Sequence, residues 1–116
     1  MPKTDDVRLR HMLDAAKEAQ SFMKGKNRGD LDANRMLVLS VLRLVEVIGE
    51  AAGQVSKECQ EKYPEIPWAL IVAMRNRLVH AYFDVDLDRV WSTMQDDLPP
   101  LIAQLEKILS GKGPCC

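Results

Sequence analysis

Leu37-Val38-Leu39-Ser40-Val41-Leu42-Arg43-Leu44-Val45-Glu46-Val47-Ile48-Gly49-Glu50-Ala51-Ala52 is the stretch that decides the fold. Its apolar residues are not confined to one stripe. At about 100° per residue, Leu37, Val38, Val41, Leu44, Val45, Ile48 and Ala52, with Val55 beyond, fill a broad arc. A helix this apolar belongs in the middle of a bundle. The narrow polar strip holds Arg43, Glu46 and Glu50, whose three- and four-residue spacings allow carboxylate and guanidinium to pair. Gly49 costs about 1 kcal/mol of helix propensity relative to Ala, which implies close approach of a neighbouring helix. The pattern predicts this helix over about residues 31–57.

Upstream, Leu9, Met12, Leu13, Ala16, Ala19 and Met23 recur at helical spacing and predict a first helix over about residues 5–24. Gly25 and Gly29 bracket the polar stretch from Lys24 to Asp30, which reads as a loop. Downstream, Tyr63, Pro64 and Pro67 mark a connection, and Pro67 suits the first position of a third helix running to Phe83. Asp84 or Asp86 can cap a fourth helix with the face Leu87, Val90, Trp91 and Met94. Pro99 and Pro100 stand near the start of a fifth, whose stripe is Leu98, Leu101, Ile102, Leu105, Ile108 and Leu109. No segment alternates with period two. The expected fold class is all-α: an antiparallel up-and-down helical bundle of four to five helices. One domain is expected over residues 1–116, with its core over about 5–110 and a tail at 111–116.

The 116 residues carry 16 basic and 17 acidic side chains, a formal charge of -1. No global field draws such a chain onto nucleic acid or an anionic membrane, so any RNA binding is local. Lys24, Lys26 and Arg28 either steer RNA or are simply solvated, and the second is favoured. There is no leader pattern and no apolar run near the roughly 18 residues that span a bilayer, so a cytoplasmic protein without a membrane partner is expected. Cys59, Cys115 and Cys116 have neither zinc spacing nor the pattern of a disulfide framework and read as thiols.

One segment does not look like bundle filler: Met74-Arg75-Asn76-Arg77-Leu78-Val79-His80-Ala81-Tyr82-Phe83. On a helical wheel Leu70, Ile71, Met74, Leu78 and Ala81 share the core arc. Arg75, Asn76, His80 and Tyr82 fall opposite, interleaved with Val72, Val79 and Phe83. Either a second copy of the chain covers this face, or those apolar residues pack under another part of the same chain. The polar types suit RNA cleavage without a metal or other cofactor. RNA carries its own nucleophile, the ribose 2′-hydroxyl, and needs a base, an acid and a cation at the phosphate. Histidine, with a reference pKa near 6.5, exchanges protons at neutral pH. Arginine grips phosphate oxygens with a planar fork. Asn76, four residues before His80, would share its helix face and orient the ring. Arg77 points away and is expected to form a surface ion pair. With only His11 and His80, no metal cluster is expected.

Arg75, four residues, His80, one residue and Tyr82 resemble the motif of the HepT toxins, the DUF86 branch of the HEPN superfamily. Further likeness lies in Arg8 to Leu13, Val45 to Ala52, Tyr63 to Trp68, and Val85 to Pro99, so that it spans about residues 5–110. The resemblance implies a homodimeric, metal-independent endoribonuclease with Arg75 and His80 as the catalytic pair and Asn76 in support. It further implies a type VII toxin-antitoxin system, in which a minimal nucleotidyltransferase antitoxin of the MntA type transfers AMP from ATP to Tyr82. The alternative is a helical docking or substrate-binding partner of a nucleotidyltransferase, since a bundle alone does not require catalysis.

Overall fold

The computed structural model describes residues 3–81 and 84–111. The first helix, α1 (Lys3–Met23), ends where Gly25 takes φ +77°, a left-handed conformation that glycine adopts without strain. Where an open loop to Asp30 was expected, α2 (Arg28–Ala33) begins. A reciprocal cap explains it: the Asn27 side chain accepts from the Asp30 N–H, and the Asp30 carboxylate accepts from the Asn27 N–H. Asn34 is extended, so the predicted helix over 31–57 is split there. The Asn34 side chain then accepts from the Leu37 N–H and opens α3 (Arg35–Gly53). Ser56 caps the short α4 (Lys57–Lys62) through the Cys59 N–H.

The largest departure lies in the third expected helix. Pro67 precedes α5 (Trp68–Val72), Ala73 interrupts at φ −90° and ψ 0°, and α6 (Met74–Leu78) follows. The chain then turns into a small antiparallel hairpin of β1 (Val79–Ala81) and β2 (Asp84–Val85), with Val79 opposite Val85. Helix therefore stops at Leu78 and does not run to Phe83. The β-branched Val79 sits at φ −124° and ψ 116° against Val85, and the Asp86 N–H closes the hairpin on the Leu78 carbonyl at 2.8 Å.

Asp86 then caps α7 (Leu87–Ser92), as one of the two anticipated caps, by accepting from the Arg89 N–H. A π-helical turn, Thr93–Asp97, leads into α8 (Leu98–Ser110), where Pro99 and Pro100 occupy the first turn and their missing N–H groups are not needed. The expected all-α bundle is thus present, with the hairpin as an addition.

α1 packs along α3 and also against α8. Leu9, Met12, Ala16 and Ala19 of α1 are fully buried, as are Val41, Val45 and Ile48 of α3 and Leu98 and Leu105 of α8. Each large side chain so buried contributes roughly 1.5–3 kcal/mol. Gly49 shows the close approach anticipated for it: a Cβ there would stand 3.2 Å from the carbonyl oxygens of Ile71 and Val72. Asp5, 1% exposed, accepts from the Ser56 N–H at 2.8 Å and the Ser56 hydroxyl at 2.6 Å, pinning the start of α1 to the α4 cap. Cys59 is fully buried and disulfide-bonded, which corrects the expectation of a thiol there; Cys115 and Cys116 lie outside the described residues.

The molecule measures 44 × 28 × 19 Å. Its thinnest dimension is about two helix layers, at 8–10 Å between axes, so α3 cannot be wrapped on all sides. Met36 and Leu39 of α3 and Val72 of α5 are exposed accordingly. Among the described residues no helix is long and apolar enough to cross a membrane.

Candidate active site

Arg75 stands on α6, which lies against α3. Its guanidinium Nε is 3.9 Å from Glu46 Oε2 and about half exposed. Glu46 also accepts from Arg43 at 2.8 Å, and Arg43 reaches Glu50 at 3.9 Å, so both glutamates are the arginine partners expected of them. This string of charge runs along the uncovered face of α3 that Leu39 and Val72 share.

His80 lies on β1, not on a helix. The imidazole is 61% exposed and flanked by two carboxylates, Asp84 Oδ2 at 3.7 Å from Nδ1 and Asp86 Oδ2 at 3.7 Å from Nε2. These distances are too long for hydrogen bonds but short enough for charge to be felt. Each ring nitrogen thus has a carboxylate nearby on a side chain that is largely exposed. The hairpin creates this: pairing Ala81 with Asp84 folds β2 back beside β1, and the same Asp86 that caps α7 faces the ring.

The break at Leu78 removes the premise that Asn76 and His80 share a helix face. Asn76 is exposed on α6, and no side-chain hydrogen bond ties it to His80 among the described residues. Tyr82, the remaining candidate, lies outside the described residues, as does Phe83. Arg75 and His80 each lie beside carboxylates, Glu46 for the one and Asp84 and Asp86 for the other. Arg77 forms no ion pair among the described residues, contrary to expectation. Asp84 and Asp86 were anticipated only as helix caps; their spacing of four and six residues after His80 becomes informative once a hairpin is recognised.

Arg28 forms the ion pairs of the basic loop, with Asp88 at 2.8 Å and Asp32 at 3.0 Å. The hydrogen bond that Arg28 donates to the Asp88 carboxylate pushes its already high pKa further up, so Arg28 remains a cation tied to the protein's own acids. Among the described residues no cluster of three or more metal-ligating side chains occurs.

Comparison with known proteins gives this arrangement its context. The family model described as Ribonuclease HepT-like matches residues 12–108. "Putative RNase MJ1216" of Methanocaldococcus jannaschii is 36% identical over 110 residues, covering 94% of this chain and 91% of that protein. "Putative RNase TTE0752" of Caldanaerobacter subterraneus subsp. tengcongensis is 34% identical, covering 92% of this chain and 96% of its own length. "Probable ribonuclease HepT" of Thermococcus cleftensis is 32% identical, covering 86% and 91%. No solved structure matched. The chain belongs to the HepT-like ribonuclease family.

Proposed function

We propose that the chain is the toxin of a type VII toxin-antitoxin pair, a metal-independent endoribonuclease whose site is formed by Arg75 and His80 of two copies of the chain. The observation that carries this reading is His80, an exposed imidazole with a carboxylate beside each nitrogen, on the strand that follows the helix exposing Arg75. In the proposed reaction one His80 removes the proton from a ribose 2′-hydroxyl. The 2′-oxygen attacks the adjacent phosphorus, and the 5′-oxygen leaves, taking a proton from the second His80. The products are a 2′,3′-cyclic phosphate and a 5′-hydroxyl end. Arg75 faces the charge that builds on the non-bridging oxygens. Asp84 and Asp86 balance the imidazolium formed on the way.

Dimerisation is supported by the uncovered stripe of Met36, Leu39 and Val72, which adjoins the Arg43, Glu46 and Arg75 charges. A second copy laid along this face would bring two Arg75 and two His80 side chains towards one strand. Asn76 would then contact substrate or the partner copy, and no longer orient the ring. For Tyr82 the resemblance of the motif is the support. Its hydroxyl would attack the α-phosphorus of ATP, releasing pyrophosphate, in the active site of an MntA-like nucleotidyltransferase. The phosphodiester so made would put anionic bulk within a few residues of His80 and block RNA.

The test is cleavage of end-labelled RNA in the presence of a chelator. Cutting by the wild type, with a loss of at least 100-fold in both Arg75→Ala and His80→Ala, is the expected result. Equal rates in the variants would favour the docking-partner alternative.

A further inference from the structure

A cavity of about 780 Å³ lies on the other side of α5 and α6 from the Arg75 face, closed by α7, the π-helical turn and the start of α8. Its volume is that of a small-molecule site. Three observations give it a chemical character.

The first is Thr93. It is 4% exposed, lines the cavity, and its hydroxyl takes part in no hydrogen bond among the described residues. No buried side-chain oxygen or nitrogen among the described residues is sealed off without a partner, so the hydroxyl keeps some exposure at the cavity that Thr93 lines. The second is charge. Of the carboxylates around the rim, Asp88 is held by Arg28 and Asp86 faces His80 and Arg89. Arg77, Asp97 and Glu65 have no charged partner among the described residues, and all three line the space; Asp97, at the end of the π-helical turn that Thr93 opens, is the one beside the hydroxyl in sequence. The third is the wall of α5 and α6. Leu70, placed in the core arc by the helical wheel, is 53% exposed here beside Met74, giving an apolar surface open to a flat ligand.

We infer that this cavity takes a nucleobase of the RNA next to the cut, with guanine preferred, so that Arg77, Thr93 and Asp97 determine base specificity. The inference rests on the ribonuclease reading above and deepens it. Asp86 links the two places, since the same carboxylate faces His80 Nε2 and forms part of the cavity wall. A base splayed out of a single strand is neutral and flat, and it displaces no paired charge on entering. Guanine offers adjacent acceptors, O6 and N7, that match an arginine fork. Its N1–H and N2 amino group donate together to a carboxylate such as Asp97. The Thr93 hydroxyl, at the opening of the π-helical turn that ends in Asp97, supplies one further hydrogen bond from the cavity floor. Cytosine lacks the paired acceptors on that edge, and uracil and adenine lack the paired donors.

The test uses the full chain carrying His80→Ala, with methionine methyl groups labelled and Met74 as the reporter. Guanosine 5′-monophosphate should shift the Met74 signal saturably and bind at least ten-fold tighter than cytidine 5′-monophosphate. Arg77→Met and the isosteric Thr93→Val should each weaken the guanosine nucleotide at least five-fold. No saturable shift, equal affinity for both nucleotides, or binding indifferent to both substitutions overturns the assignment. Sequencing the ends left by the wild type on a random RNA pool provides the second arm. Guanine enriched at one fixed position beside the cut, and that enrichment flattened by Arg77→Met, is expected. Cleavage without base preference and without nucleotide binding removes the base pocket and leaves the nuclease. Nucleotide binding with no cleavage of any RNA removes the nuclease and leaves the guanine site.

Discussion

At the scale of the residue, the candidate site lies where the chain leaves helical geometry. Arg75 and His80 stand out in the sequence because a guanidinium and an imidazole suit phosphodiester chemistry, and they remain the proposed pair. Their surroundings were not legible there. A helical wheel places Asn76 beside His80, yet the ring sits on a strand between Asp84 and Asp86. Removing these carboxylates together, as Asp84→Asn with Asp86→Asn, should lower cleavage at least ten-fold while circular dichroism still reports a helical bundle. An unchanged rate would mean that they do not assist the imidazole. Asp5 was equally hidden, since a carboxylate in a first helical turn looks like surface decoration. It is instead buried on the Ser56 cap. Ser56→Ala removes both the α4 cap and one Asp5 partner and should cost about 1–3 kcal/mol, read as a lower urea midpoint.

Elements were legible where one apolar face dominates and obscure where short polar signals compete with it. The cores of α1, α3 and α8 follow directly from Leu, Val, Ile and Met at helical spacing. The split at Asn34 and the start of α2 are set by Asn27, Asp30 and Asn34 side chains taking backbone N–H groups. Such a preference of about 1 kcal/mol is invisible beside a long hydrophobic period. Likewise, Val79 and Val85 fit a wheel as well as a hairpin, and only their pairing across two strands distinguishes the two. Gly49 was read correctly because a glycine in an otherwise apolar helix implies a close neighbour. Gly49→Val would drive a branched side chain into the Ile71 and Val72 carbonyls. A loss of about 2 kcal/mol is expected, with cleavage reduced further than unfolding alone explains, because α6 carries Arg75. Gly53→Ala serves as the control. Its Cβ would meet only Val72 Cγ2 at 3.8 Å, and stability should change by less than about 0.5 kcal/mol.

For the whole molecule, the two-layer thickness leaves one long face of α3 without cover, and that face joins apolar side chains to the Arg75 charges. The sequence suggested a second burial on this side through Val72 and left open what supplies it. A charge placed there, as Val72→Asp, should separate the copies and reduce cleavage in parallel while leaving each bundle folded. The most direct measurement is sedimentation of the purified wild-type chain across a dilution series, with RNA cleavage assayed at each concentration. A species of twice 13.1 kDa, with activity per chain falling as that species dissociates, is the predicted result. A 13.1 kDa monomer that cleaves RNA at a constant rate per chain would contradict a site shared between two copies.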